Sequence, residues 1–190
     1  MKRVIWITMM FQLVASAAIG GGLDKDSLNY NDMYKGDCYL LDANKNRIKM
    51  ETQRVSQRKK ASAASYIPMA GYALGKTIIE NQVKGLASGV RWKGEVKILI
   101  RGEKDIHPTR QFGLVKAEQN TRRKVRSVRV ATSGNLFSNT TDEVEYVEFE
   151  HEKISEDIYL LKFKNIEPGE YVLITAIAGM EKTYRMFGVD

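Results

Sequence analysis

"DIYLLKFKNIEPGEYVLITAIA", Asp157 to Ala178, decides the fold class. Two short runs rich in β-branched, aromatic and leucine residues flank "IEPGEY", Ile166 to Tyr171, and each reads as a strand. Pro168-Gly169 suits a type II turn, with proline at the second position and glycine where φ must be positive. Tyr171 starts the second strand. Its hydroxyl either returns to the backbone, as in the tyrosine corner of Greek-key sandwiches, or belongs to an ordinary half-buried strand tyrosine. Both roles are structural.

The same pattern extends in both directions. "CYLLDANKNRIKMETQ" places apolar stretches on either side of Asp42–Asn46, a hairpin signal. "KTIIENQV" and "VRWKGEVKILIR" read as strands, with Val96, Ile98 and Ile100 on one face and Leu99 breaking the alternation. "RQFGLVKAE", "RKVRSVRVAT", "VEYVEFE" and "TYRMFGV" complete the series. Turn residues recur at the spacing of an all-β sandwich. There is no long amphipathic helix pattern and no internal repeat. The expected fold is an all-β, immunoglobulin-like antiparallel sandwich.

The first residues stand apart. "MKRVIWITMMFQLVASAA" has a basic start at Lys2 and Arg3, an apolar run from Val4 to Ala15, and an A-x-A site at Ala15-Ser16-Ala17. That is the layout of a secretory signal peptide, and the run is short for a membrane span of about 20 residues. The expected organisation is a signal peptide over 1–17, a flexible lead-in over 18–37 and a single sandwich domain over 38–190. A loop-rich segment lies near 54–75. The destination is the periplasm or cell surface. Cys38 is the only cysteine, so the fold has no internal disulfide. The thiol either bridges chains or, the favoured reading, is buried and inert.

Three motifs that could carry chemistry fall short. "AGYALGKT", Ala70 to Thr77, fits a relaxed phosphate-binding loop. Such a loop joins a central strand to a long helix. Here Pro68 precedes it, which suits no central strand, and β-branched residues and Gly85 follow. Nucleotide binding by Gly71, Gly75 and Lys76 is therefore not expected. Asp42, Asn44 and Asn46 have the opening spacing of a calcium loop, but Arg47 stands where glycine is required and Gln53 where a bidentate glutamate is required. His107 and His151 are the only histidines, too few for a closed zinc site. No nucleophile-elbow sequence marks a serine. No residue is assigned to catalysis, to a cofactor or to a metal. Asn139-Thr140-Thr141 is a glycosylation triplet with meaning only in a eukaryotic secretory pathway.

Charge is unevenly spread. Residues 89–134 carry 12 basic and 4 acidic groups, and residues 135–190 carry 5 and 12. "RRKVRSVR" reads as a polyanion patch, but export and the lack of interleaved aromatics argue against nucleic acid. The simpler expectation is mutual neutralisation, with Arg126 or Arg129 facing Glu145 or Glu148.

"GKTIIENQVKG", "EVKILIRG", "VRVATSGNLFS", "SEDIYLLKFKNIEPGEYVLIT" and "MFGVD" together resemble a group of small, uncharacterised exported bacterial β-sandwich proteins. The resemblance covers most of residues 60–190. It implies export and an immunoglobulin-like sandwich, and no catalytic residues. The expected function is a non-catalytic binding or structural module of the cell envelope, with an envelope protein or glycan as partner. The alternatives are an envelope hydrolase and a polyanion-binding surface protein.

Overall fold

The computed structural model describes residues 28–61, 77–133 and 144–190. The signal peptide (1–17), the start of the lead-in (18–27), Gly71, Gly75, Lys76 and the Asn139 triplet lie outside the described residues.

The strands in chain order are β1 (Cys38–Leu41), β2 (Arg47–Lys49), β3 (Glu51–Thr52), β4 (Ser56–Ala61), β5 (Thr77–Lys84), β6 (Arg91–Trp92) and β7 (Val96–Arg101). A one-turn helix, α1 (Pro108–Gln111), follows. Then come β8 (Phe112–Asn120), β9 (Val125–Ser133), β10 (Tyr146–Val147), β11 (Glu150–Lys153), β12 (Ile158–Phe163), β13 (Gly169–Thr175) and β14 (Thr183–Val189). The protein is all-β and its ladders are antiparallel, apart from the short parallel pairing of β6 with β14. One sheet has the order β11-β12-β7-β1-β2. The other runs β3-β14-β13-β8-β9-β5-β4, with β10 beside β8 and β6 beside β14.

Alternation of side chains explains how these sheets stack. On β13 and β14, Tyr171, Leu173 and Phe187 join the core shared with Val96, Ile98 and Ile100 of the five-stranded sheet. Their neighbours Val172 and Met186 point the other way. They form a second core with Val115, Ala117, Val83 of β5 and Val128 of β9. Strands β5 and β9 therefore fold over the outer face of the β13–β8 region. The crossing is made by β8, which pairs with β13 up to Ala117 and with β9 from Glu118. A third core forms on the far face of the five-stranded sheet, where Leu99 and Leu160 meet Leu28, Met33 and Ile158. Leu99 breaks the alternation because β7 is buried on both faces. Of the expected lead-in, residues 28–37 are anchored to this face by the buried Leu28 and Met33.

Other expectations are corrected. Residues 56–61, within the segment read as loop-rich, form strand β4 along β5. "VEYVEFE" is not one strand. The chain pairs with β8 at Tyr146–Val147 and with β12 from Glu150, so it crosses between sheets. Pro168-Gly169 is not a type II turn. Gly169 has φ +154°, far from the roughly +80° of that turn, and the segment carries the chain from β12 in one sheet to β13 in the other. Tyr171 fastens this corner: its hydroxyl donates to the Glu167 carbonyl at 2.8 Å.

The folded-over strands meet β13 through a buried ion pair. Arg126 of β9 is 1% exposed and Glu170 of β13 is 3% exposed. Arg126 Nη1 donates to Glu170 Oε2 at 3.1 Å, and Nη2 reaches Glu51 Oε2 at 3.5 Å. The Ser88 amide donates to Glu170 at 2.7 Å, and Arg91 donates to the other Glu170 oxygen and to Asp190. At Gly188 an added Cβ would displace the Arg91 guanidinium from this position. Arg126 does not pair with Glu145 or Glu148 but with Glu170; Arg129 lies opposite Glu80 in the β5–β9 ladder and shares the lining of a cleft with Glu145.

Removing one partner of a buried pair leaves a charge uncompensated and costs about 3–5 kcal/mol. Glu170→Gln keeps an acceptor for the Ser88 amide but strips the charge from Arg126, and is expected to lose stability in this range by urea unfolding. Arg126→Met in the Glu170→Gln background should restore more than half of the loss. Additive losses would contradict the pair.

Candidate binding cleft

The first wall of the cleft is built from α1 and the start of β8. His107 caps α1 with φ −60° and ψ 136°, and Pro108 occupies the first turn, where no amide is needed. Gln111, buried at 2% exposure, ties the preceding loop down. Its Oε1 accepts from the Glu103 amide at 2.6 Å and its Nε2 donates to the Ile106 carbonyl at 2.7 Å. The Ala176 amide donates to the Gln111 carbonyl at 2.8 Å, joining this wall to the end of β13.

The opposite wall is β10. Tyr146 pairs with Val115 in register, so its side chain shares a face with Val115 and Gly113. The tyrosine ring lies against Gly113, where an added Cβ would clash with it. Its other side is open, and Tyr146 is 54% exposed. Phe149 packs on Phe163 with ring centroids 5.4 Å apart. Between the walls lies an open cleft of about 470 Å3 with Ile174 and Phe112 in its lining and Thr109, Arg110 and Glu148 among its polar residues. The volume falls within the roughly 300–1,000 Å3 of small-molecule sites. A second cleft of about 480 Å3 lies across β10 and is more polar, with Lys116, Arg129, Glu145 and Glu167 in its lining.

The second cleft holds an ion pair. Lys116 Nζ and Glu167 Oε2 are 2.6 Å apart. That hydrogen bond, then the opposite charge of Lys116, lowers the Glu167 carboxyl from its ordinary value. Lys164 does the same to Glu150. The basic block 89–134 and the acidic block 135–190 do neutralise each other, through Arg101–Asp157, Lys104–Glu156, Lys116–Glu167, Arg126–Glu170 and the Arg91 contacts to Glu170 and Asp190. "RRKVRSVR" does not form one basic face. Arg122, Arg123 and Lys124 are exposed at the β8–β9 turn, whereas Arg126 is buried.

The other residues singled out by sequence have defined places. Asp42 Oδ1 accepts from the Asn44 and Asn46 amides at 2.8 and 2.7 Å, and Oδ2 accepts from the Asn46 side chain at 2.8 Å. Its carboxylate is committed to closing the β1–β2 hairpin. Among the described residues no group of three or more His, Cys, Asp or Glu is arranged to hold a metal ion, and no helix is long and apolar enough to cross a membrane. His107 and His151 come together at the rim of the fold, ring centroids 4.6 Å apart and nearly perpendicular at 83°. Sequence spacing does not foretell this pairing, nor the role of Tyr146. The weak signal was "QFGLV": a glycine inside a strand marks a close approach, here by an aromatic ring. No protein family, curated protein or solved structure matches this chain.

Cys38 is buried at 3% exposure. Its Sγ lies 3.4 Å from the Gly36 carbonyl and 3.7 Å from both Thr175 Oγ1 and Arg185 Nη1. Burial pushes the thiol up to about 11, against the opposing pull of Arg185 and Thr175. The folded state therefore holds the proton more tightly than the unfolded chain. This contribution is fully present below about pH 8.5, the ordinary thiol value, and is lost as pH rises towards 11. Between about pH 8 and 11, the unmodified protein should lose about 2 kcal/mol more stability than Cys38→Ala. Parallel pH profiles would refute this.

Proposed function

We propose that the protein is an exported, non-catalytic binding module of the bacterial cell envelope, working in the periplasm or at the cell surface. Its scaffold is an immunoglobulin-like β-sandwich of the small exported bacterial type that the sequence resembles, and its ligand is an envelope glycan. The observation that carries this reading is Tyr146. Its ring is pinned on one side by Gly113 and open on the other, beside Arg110, Glu148 and Thr109. A fixed aromatic face accepts the C–H face of a sugar ring at low entropy cost, and polar groups at the rim fix its hydroxyls. A signal-peptide-like start and a cleft open to solvent support export and binding. His151, whose burial in a deep pocket would favour a hydrolase, is exposed.

The test is calorimetric titration with soluble β-1,4-linked N-acetylglucosamine oligomers. Tyr146→Ala should weaken binding at least tenfold, a loss of about 1.4 kcal/mol or more, and Tyr146→Phe should preserve most of it. No binding by the unmodified protein would sink the glycan assignment, as would equal binding by Tyr146→Ala.

A further inference from the structure

The two histidines are the chemistry this reading leaves unused. His107 stands at the start of the helical turn and His151 on edge strand β11, and both are exposed. β11 pairs with β12 so that His151 lies opposite Leu161, while His107 belongs to the segment leading into β8. The imidazoles therefore come from margins of different sheets and meet at one point, with the Tyr159 ring 6.4 Å from His151.

We propose that His107 and His151 form an open site for a borderline divalent cation, Cu2+ foremost and Zn2+ next. Imidazole nitrogen suits these ions, and Cu2+ stands highest in the affinity order of first-row divalent metals. A histidine that ligates through one ring nitrogen characteristically donates its other N–H to a fixed partner. His107 has that partner. Its Nδ1 lies 2.8 Å from Thr109 Oγ1, so with the proton on Nδ1 the Nε2 lone pair is free for a metal. The Thr109 amide approaches the same Nδ1 at 3.4 Å; that weaker bond is given up when Nδ1 carries the proton. The carboxylates flanking His151 are already paired, Glu150 with Lys164 at 2.7 Å and Glu152 with Lys162 at 2.9 Å.

Two protein ligands do not make a closed structural site, which takes four. The remaining positions belong to water or to a donor from a bound molecule, and the metal exchanges. The present edge-to-face packing sets the rim of one ring against the face of the other. A cation draws both lone pairs to one point by rotation of the exposed His151 side chain between staggered wells, while Thr109 holds the His107 ring. Thr109 also lines the aromatic cleft, so the cation would sit at that wall.

The experiment is titration of the full chain, without a histidine tag, with CuCl2 and ZnCl2. One ion per chain is expected, with no competition from Mg2+ or Ca2+. His107→Ala and His151→Ala should each weaken Cu2+ binding at least about tenfold, and Thr109→Val by a smaller factor. Melting temperatures should be unchanged for His151→Ala and Thr109→Val, while His107→Ala also removes the cap of α1. The Cu2+ spectrum should show coupling to two imidazole nitrogens in the unmodified protein and to one in each histidine variant. Selective broadening of the two histidine ring resonances by Cu2+ reads the same contact without any substitution. No saturable uptake by the unmodified protein, or affinity unchanged in either histidine variant, would overturn the proposal.

Discussion

The contact on which the folded-over strands β5 and β9 depend is the ion pair between Arg126 and Glu170. A sheet with a water-facing side needs polar residues there. Strands β8, β13 and β14 instead carry Val115, Val172 and Met186 on the side away from the main core. Those side chains demand a cover, and β5 and β9 supply it. Apolar packing alone is non-directional. The pair fixes where β9 lies against β13, because a buried guanidinium tolerates no position without its carboxylate. Arg126 Nε is buried with no hydrogen-bond partner among the described residues, so the position also carries a cost that the surrounding packing must offset. Glu170 is shared with Arg91 and the Ser88 amide, which ties β6 and the chain end near Asp190 to the same point.

This arrangement explains what could and could not be read from the sequence. Strand identity was legible wherever the period of two survived, as in Val96, Ile98 and Ile100. The hairpin at Asp42–Asn46 was legible because its turn chemistry is local. Layering was not. A residue such as Leu99 looks like a defect in alternation until the opposite face of its strand is known to be covered by Leu28 and Met33. Pro168-Gly169 reads as a tight turn because local rules cannot say whether the strands it joins lie in the same sheet. Tyr171 did make the backbone bond that the corner motif suggests.

Charge showed the same division. The basic and acidic blocks compensate one another, as their composition implies, but the partners differ from those suggested by sequence proximity. Arg126 ends on Glu170 rather than on the nearby glutamates, because β10 attaches to β8 and not to β9. That attachment also makes the cleft. A two-residue strand held at Val115 and Leu114 sets Tyr146 over Gly113, and neither residue signals the other in the sequence. The candidate site is a product of topology, and so is the meeting of His107 with His151.

Native-state hydrogen exchange on Arg126→Met tests the central role of the buried pair most directly. If Arg126 and Glu170 anchor the folded-over strands, amides of β5 and β9 will lose protection well before those of β7 and β12, because the layer opens as a local unit. Equal loss of protection in both sheets, or no selective loss in β5 and β9, would contradict it.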